Sequence, residues 1–247
     1  MMKPKVGFFD FTSCEGCQLT VLSTGERLLD LVSSVDIVNF REASSQIGHD
    51  YDIAFIEGSV AKPADIDRLK EIRKNAKVCV ALGACAHTAG VNAIRNFHNQ
   101  AEVKKRVYGE KAWVFDTILA QPIDAVIKVE YFIPGCPIDK EELLRVIPAI
   151  ASGVRPYIPD HPVCVECKMR GNVCLYHRQN KIICMGPITR AGCGAICPSV
   201  GNACEGCRGL VSDPNIKAFE EVLEEHGVSP EDRMRFYRMF NGLMGVR

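Results

Sequence analysis

The sequence lacks any hydrophobic run long enough to span a bilayer. A membrane helix needs about 18 or more consecutive apolar residues, and none occurs in its 247. Net charge is also missing, because 30 Lys plus Arg balance 30 Asp plus Glu. A pI near 7.0 removes the basic footprint of a nucleic-acid binder. Aromatics are scarce at 7%, but apolar residues reach 47%, enough for a folded core and against intrinsic disorder. The opening Met1–Asp10 (MMKPKVGFFD) shows no apolar h-region, cleavage site or twin arginine, so a cytoplasmic chain with reduced thiols is expected. Also absent are a Gly-x-Gly-x-x-Gly turn, a phosphate loop and a Gly-x-Ser-x-Gly elbow. What the chain has in excess is cysteine, 13 in all and clustered.

In a reducing compartment such a count reads as thiolate ligands for metal rather than disulfides. The thiols fall into two stretches of different character. From Lys5 to about Gly153, short apolar runs alternate with helical periods, the pattern of an α/β domain with a mostly parallel sheet. Strands are predicted at Lys5–Asp10, Val35–Asn39, Ile53–Glu57, Lys77–Leu82 and Lys128–Ile133. Helices are predicted at Leu19–Leu31, Ala64–Asn75 and Asp139–Ser152. From Arg155 to Gly209 no period persists, while Gly, Pro and eight cysteines accumulate. Such a stretch needs a staple other than hydrophobic packing. Helical pattern returns at Ile216–His226 and again from Ser229-Pro-Glu-Asp232, a capping box with Pro at the first helical position. Two domains follow, residues 1–154 and 155–247.

Topology brings the first-half thiols together. Cys14 and Cys17 follow the first predicted strand, Cys85 the fourth and Cys136 the fifth. In an open α/β sheet ligands bind beyond the carboxyl ends of strands, so these four reach one edge. Gly16, Gly83 and Gly135 stand beside them, as where backbone approaches a bulky ligand. Pro134 and Pro137 stiffen the Cys136 loop. Four thiolates suit tetrahedral zinc or a cubane iron–sulfur cluster. One local pair plus two distant singles favours the cluster over the paired knuckles of structural zinc. Three nearby residues carry plainer readings. Cys79 is a small buried hydrophobe within a strand, Glu57 a cap or turn former as readily as a site residue, and His87 a surface or supporting side chain.

The second half carries Cys164, Cys167, Cys174, Cys184, Cys193, Cys197, Cys204 and Cys207. Eight is two sets of four, read as two further clusters or, alternatively, two zinc ribbons, with the metal supplying folding free energy.

Taken together, Thr12-Ser-Cys-Glu-Gly-Cys17, Glu57-Gly-Ser59, Gly83-Ala-Cys85, Pro134-Gly-Cys-Pro137, Cys174-Leu-Tyr through Cys184-Met-Gly-Pro-Ile-Thr-Arg-Ala-Gly-Cys193 and Cys204-Glu-Gly-Cys207 are a distinctive series. On them the chain resembles the small, electron-transfer subunit of nickel–iron hydrogenases, up to about Gly209. The resemblance implies a flavodoxin-like domain followed by a small, irregular iron–sulfur domain with C-terminal helices. It implies a proximal 4Fe-4S cluster on Cys14, Cys17, Cys85 and Cys136. A distal one would sit on Cys164, Cys167, Cys174 and Cys184, and a medial one on Cys193, Cys197, Cys204 and Cys207. Periplasmic members have histidine where Cys164 stands and proline where Cys197 stands, so three four-iron clusters are implied here. Full cysteine ligation looks like the cytoplasmic, multisubunit enzymes. Thr12–Gln18 and Cys207-Arg-Gly209 look most like the delta subunit of sulfhydrogenases. The implied partners are a large subunit holding nickel and iron, and flavin- and iron–sulfur-containing acceptor subunits. Related enzymes serve deazaflavin or a heterodisulfide reductase. Respiratory-complex relatives resemble the first half alone.

Overall fold

The computed structural model describes residues 3–178 and 182–243; the outermost ends of the two expected domains lie outside these. The chain forms two compact units, Met1–Tyr157 and Ile158–Arg247.

The first unit holds a five-stranded parallel sheet in the order β2-β1-β3-β4-β5. Its elements in sequence are β1 (Lys5–Asp10), α1 (Gly16–Leu22), α2 (Arg27–Ser34), β2 (Asp36–Phe40), β3 (Ile53–Glu57), α3 (Pro63–Asn75), β4 (Val78–Leu82), α4 (Gly83–Thr88), α5 (Gln100–Tyr108), β5 (Tyr131–Ile133) and α6 (Lys140–Ala151). This is the flavodoxin-like order, whose switch point lies between β1 and β3. The central strands are near-continuous apolar runs, as parallel strands covered on both faces must be. Register pairs Val6 with Ile53, Phe8 with Phe55 and Asp10 with Glu57, and then Phe55 with Val80. On one face Phe8 stacks on Phe40 and Phe55 at 4.5 and 5.1 Å between ring centroids. On the other, Phe9, Ile56 and Cys79 pack with Leu69 and Ile72 of α3 and with Ile123. Each such side chain removed from water contributes about 1.5–3 kcal/mol.

Three predicted elements change. The single helix over Leu19–Leu31 is two helices, broken between Leu22 and Arg27. Ser23 and Thr24 turn their hydroxyls back onto the carbonyls of Thr20 and Val21 at 3.0 and 2.8 Å. Gly25 then takes φ +66°, a left-handed conformation in which glycine is unstrained. The last strand is shorter, Tyr131–Ile133; just before it the Glu130 N–H donates to the Cys79 carbonyl at 3.0 Å and the Glu130 carboxylate accepts from the Cys79 N–H at 2.8 Å. Third, the segment from Arg155 to Gly209 contains regular pieces, α7 (Val163–Met169) and α8 (Ile196–Ser199), with a 3-10 turn at Leu175–His177. Pieces this short do not complete enough turns to show a period.

The second unit continues with α9 (Ile216–Glu225) and α10 (Pro230–Phe240). Ser229 Oγ accepts from the Asp232 N–H at 3.2 Å, as the capping box requires. The core of this unit gathers Val163, Met185, Ile188, Leu210, Phe219, Leu223 and Tyr237, and includes two thiols, Cys184 and Cys204. Among the described residues no helix is long and apolar enough to cross a membrane.

Candidate functional site

The carboxyl ends of β1, β3, β4 and β5 converge as the strand order demands. Beyond β1 the chain runs on to Thr12, which exchanges backbone hydrogen bonds with Ser59 at 3.2 and 2.9 Å. The Asn92 carboxamide ties this pair by donating to the Thr12 carbonyl and the Ser59 hydroxyl at 2.7 and 3.0 Å. Glu15 then adopts φ +61° and offers no side-chain cap to α1. The cap comes from β3 instead. Glu57, 2% exposed, accepts from the N–H groups of Cys17 and Gln18 at 3.0 and 2.9 Å. Burial pushes the Glu57 carboxyl above its ordinary value while those two donors pull it down. Of the two readings open for Glu57, the structure shows the cap, placed so that it holds Cys17.

Cys17 is buried, Cys85 half-buried, and Cys14 and Cys136 exposed. Burial pushes the Cys85 thiol up to about 12, reinforced by Cys136, Cys14 and Glu57. Burial likewise raises Cys17, followed by the charge of Glu57 and those of Cys136 and Cys85. Cys85 therefore lies within electrostatic reach of Cys14, Cys17 and Cys136. Two glycines leave room between them. A Cβ on Gly83, whose φ is +83°, would overlap the Cys17 sulfur, and one on Gly16 would stand 3.3 Å from that of Cys14. The Ala84 N–H donates to the Gly135 carbonyl at 2.7 Å, joining the Cys85 and Cys136 loops. Cys79 lies in the apolar core instead, and the His87 ring stacks on Phe132 at 4.1 Å.

In the second unit α7 carries Cys164 and Cys167. Burial raises the Cys164 thiol to about 11, with Cys184, Cys167 and Cys174 adding repulsion. Tyr176 fixes the Cys184 backbone, accepting from its N–H at 3.1 Å and donating to its carbonyl at 3.0 Å. Cys197 interacts with Cys193 and less with Cys184, whereas Cys204 interacts with Cys184 ahead of Cys207. The Cys204 N–H donates to the Cys184 sulfur at 3.4 Å. Gly186 stands at this junction, where a Cβ would lie 3.3 Å from the Cys164 sulfur and 3.6 Å from that of Cys184.

Desolvation and mutual repulsion hold these buried thiols protonated, and a bound cationic core reverses both effects. The donor set therefore fits thiolate-ligated iron. Among the described residues no three His, Cys, Asp or Glu side chains close on one point as the ligands of a single ion would.

Sequence reasoning missed several supports. Tyr176 belongs to the Cys174-Leu-Tyr motif, which was its available signal. Glu166 lies between Cys164 and Cys167, yet its carboxylate accepts from the N–H groups of Gly192 and Ala195 at 2.9 and 3.2 Å. Arg208 follows Cys207 and is 1% exposed, with its Nε donating to the Ala191 carbonyl at 2.8 Å.

Comparison with known proteins matches residues 14–150 to the family described as NADH ubiquinone oxidoreductase, 20 kDa subunit. Sulfhydrogenase 2 subunit delta of Pyrococcus furiosus is 37% identical over 222 residues, covering 90% of this chain and 92% of the relative. A subunit of the vhu F420-non-reducing hydrogenase of Methanococcus voltae is 31% identical over 243 residues, covering 85% of this chain and 84% of the relative. Among solved structures, a chain of an NAD+-reducing [NiFe]-hydrogenase in its H2-reduced state superposes with a TM-score of 0.59 at 26% identity, over 64% of this chain and 96% of that one.

Proposed function

The chain belongs to the NADH ubiquinone oxidoreductase 20 kDa subunit family, as a small subunit of the nickel–iron hydrogenase type, and we propose that it relays electrons through three 4Fe-4S clusters between the large subunit and a flavin- and NAD(P)-linked partner. It is thus a subunit of an oxidoreductase whose active-site metal lies in the partner. In this reading Cys14, Cys17, Cys85 and Cys136 hold the proximal cluster within the first domain. Cys164, Cys167, Cys174 and Cys184 hold the distal one and Cys193, Cys197, Cys204 and Cys207 the medial one, both within the second.

The observation that carries the reading is the convergence of four thiols from three separate loops on one sheet edge, with Gly83 withholding a Cβ from the Cys17 sulfur. When bound, each cluster supplies one-electron chemistry at a potential set by its type, charge, hydrogen bonds and exposure. The chain's own residues set those conditions. Glu57 fixes the helix end that carries Cys17, and Tyr176 fixes the backbone of Cys184. Arg208, next to Cys207 in sequence, places a buried cation whose Nε donates to the Ala191 carbonyl; four thiolates on a core of about +2 leave net negative charge. A flavin- and NAD(P)-linked acceptor is supported by likeness to the sulfhydrogenase subunit and to the NAD+-reducing enzyme. Thiols kept reduced for ligation match a cytoplasmic location.

Metal analysis of the purified complex tests this. About twelve irons with matching acid-labile sulfide per chain are expected, and zinc without broad visible absorption would replace the relay by a zinc-stapled scaffold. Exchanging Cys193 and Cys204 for serine should remove one cluster and block dye reduction while nickel stays in the large subunit. Unchanged iron in that variant would sink the medial assignment. A co-purifying flavin subunit supports the NAD(P)-linked acceptor; a deazaflavin-reducing or heterodisulfide reductase partner overturns it.

A further inference from the structure

Just after α7 the chain folds back on itself. Gly171 turns it in a left-handed conformation at φ +71°, and the Asn172 N–H donates to the Cys167 carbonyl at 3.2 Å. This return aims the Asn172 side chain at its own loop. Its Nδ2 lies 3.7 Å from the Cys167 sulfur and 3.0 Å from Ser199 Oγ. A carboxamide nitrogen carries two hydrogens, one for each partner. The orientation is determined by the partners. The Ser199 hydroxyl donates to the Ala195 carbonyl at 2.9 Å, so its oxygen faces Asn172 as an acceptor, and a thiolate is an acceptor too. The carboxamide oxygen would meet two acceptors in that place, which excludes the flipped amide.

Ser199 belongs to α8, two residues beyond Cys197, so Asn172 spans two cysteine loops. The same loops are joined again from within α7, where Glu166 accepts from Gly192 and Ala195. Between these bridges, Arg170 packs so closely on Gly194 that a Cβ there would come within 2.5 Å of Nη2.

We propose that Asn172 is a positioning residue for the Cys167 thiolate: held by Ser199, it donates a hydrogen bond to that sulfur, raises the potential of the cluster bound there, and ties that site to the neighbouring cysteine loop. The proposal rests on reading Cys167 as a cluster ligand. A donor aimed at sulfur stabilises the more negative, reduced state, and hydrogen bonds to sulfur are among the determinants of cluster potential. A hydrogen bond to a charged group contributes about what a tenfold change in an equilibrium constant requires.

The test is a redox titration followed by low-temperature electron paramagnetic resonance on the assembled complex, with iron and sulfide measured on each sample. Cys167→Ala identifies the signal by removing or converting it. Asn172→Leu should keep its iron and lower the reduced-to-oxidised ratio of that one signal about tenfold at fixed potential, which is about 59 mV for one electron. Asn172→Asp should lower it further by placing a carboxylate against the thiolate, and Ser199→Ala should shift it less in the same direction. The other signals should not move. An unchanged or raised potential in an iron-replete Asn172→Leu overturns the proposal. Should that variant lose the cluster, Ser199→Ala decides, and an unmoved potential there, or cluster loss in both, makes the role structural and overturns the tuning. If Cys167→Ala leaves iron and every signal unchanged, the ligand reading itself has failed.

Discussion

Replacing Gly83 by alanine puts the proximal-site geometry under direct strain. Gly83 has φ +83°, and a Cβ there would overlap the Cys17 sulfur. The left-handed backbone costs a non-glycine residue about 1–2 kcal/mol. The clash cannot be relieved by sliding Cys17 along its helix, because Glu57 holds the Cys17 and Gln18 N–H groups. Cys17 must leave its rotamer at about 0.5–1.5 kcal/mol. The backbone strain weakens the fold whether or not a cluster is bound, whereas the displaced Cys17 opposes ligation itself, roughly twofold to tenfold in cluster affinity at this site. Gly25→Ala is the matched control. Gly25 also has a positive φ, +66°, but open space around its Cβ direction, so it incurs the backbone strain without touching a thiol. Iron analysis and low-temperature spectra should show Gly83→Ala falling from about twelve irons toward about eight, with the second-unit signals intact and Gly25→Ala fully loaded. A fully loaded Gly83→Ala with an unchanged proximal spectrum would refute the placement of Cys17 as a ligand facing α4.

Two further outcomes follow from the same sheet. Cys79→Ala should keep every iron and lower unfolding stability by about 1 kcal/mol, the effect of trimming a small core side chain, and a lost cluster would contradict its place in the apolar core. Burial pushes Glu130 up, but the Cys79 N–H and the Arg73 guanidinium, 2.6 Å away, outweigh it and hold the carboxyl below its ordinary 4.5. Its stabilisation is therefore complete above 4.5 and disappears as pH falls through the lower folded value. Glu130→Ala should lower stability by about 2 kcal/mol near neutral pH in urea unfolding, with the difference from the parent shrinking in acid. A difference that stays constant with pH would argue against the ion pair.

The sheet was legible because its central strands are buried on both faces and read as unbroken apolar runs. Strand ends then determined where Cys14, Cys17, Cys85 and Cys136 had to emerge. Illegible were the features made by side chains reaching across the chain. Glu57 caps a helix whose Gln18 lies 39 residues before it, and no local pattern records that. The Glu130 carboxylate likewise reaches the Cys79 N–H, 51 residues earlier in the chain. In the second unit, α7 and α8 escaped because helices of seven and four residues are too short for a period. Their roles come from Glu166, Asn172 and Ser199, which join loops distant in sequence.

The two units also differ in what metal must do for them. In the first, among the described residues the cluster of buried side chains around Phe9, Ile56, Leu69 and Ile72 holds one thiol, Cys79, which is not a proposed ligand, while Cys17 is the one proposed ligand there that is buried. A sheet with that core folds on hydrophobic burial, and the proposed cluster would be held at its edge, positioned by strand order. In the second, Cys184 and Cys204 are themselves members of the core that includes Met185, Phe219 and Leu223, and the Cys204 N–H is hydrogen-bonded to the Cys184 sulfur. Removing metal there leaves buried thiols facing one another without the charge that would hold them as thiolates. In the proposed arrangement ligation and packing are one event, so the loops assigned to two neighbouring sites would form together, and the bridges made by Glu166 and Asn172 join those loops.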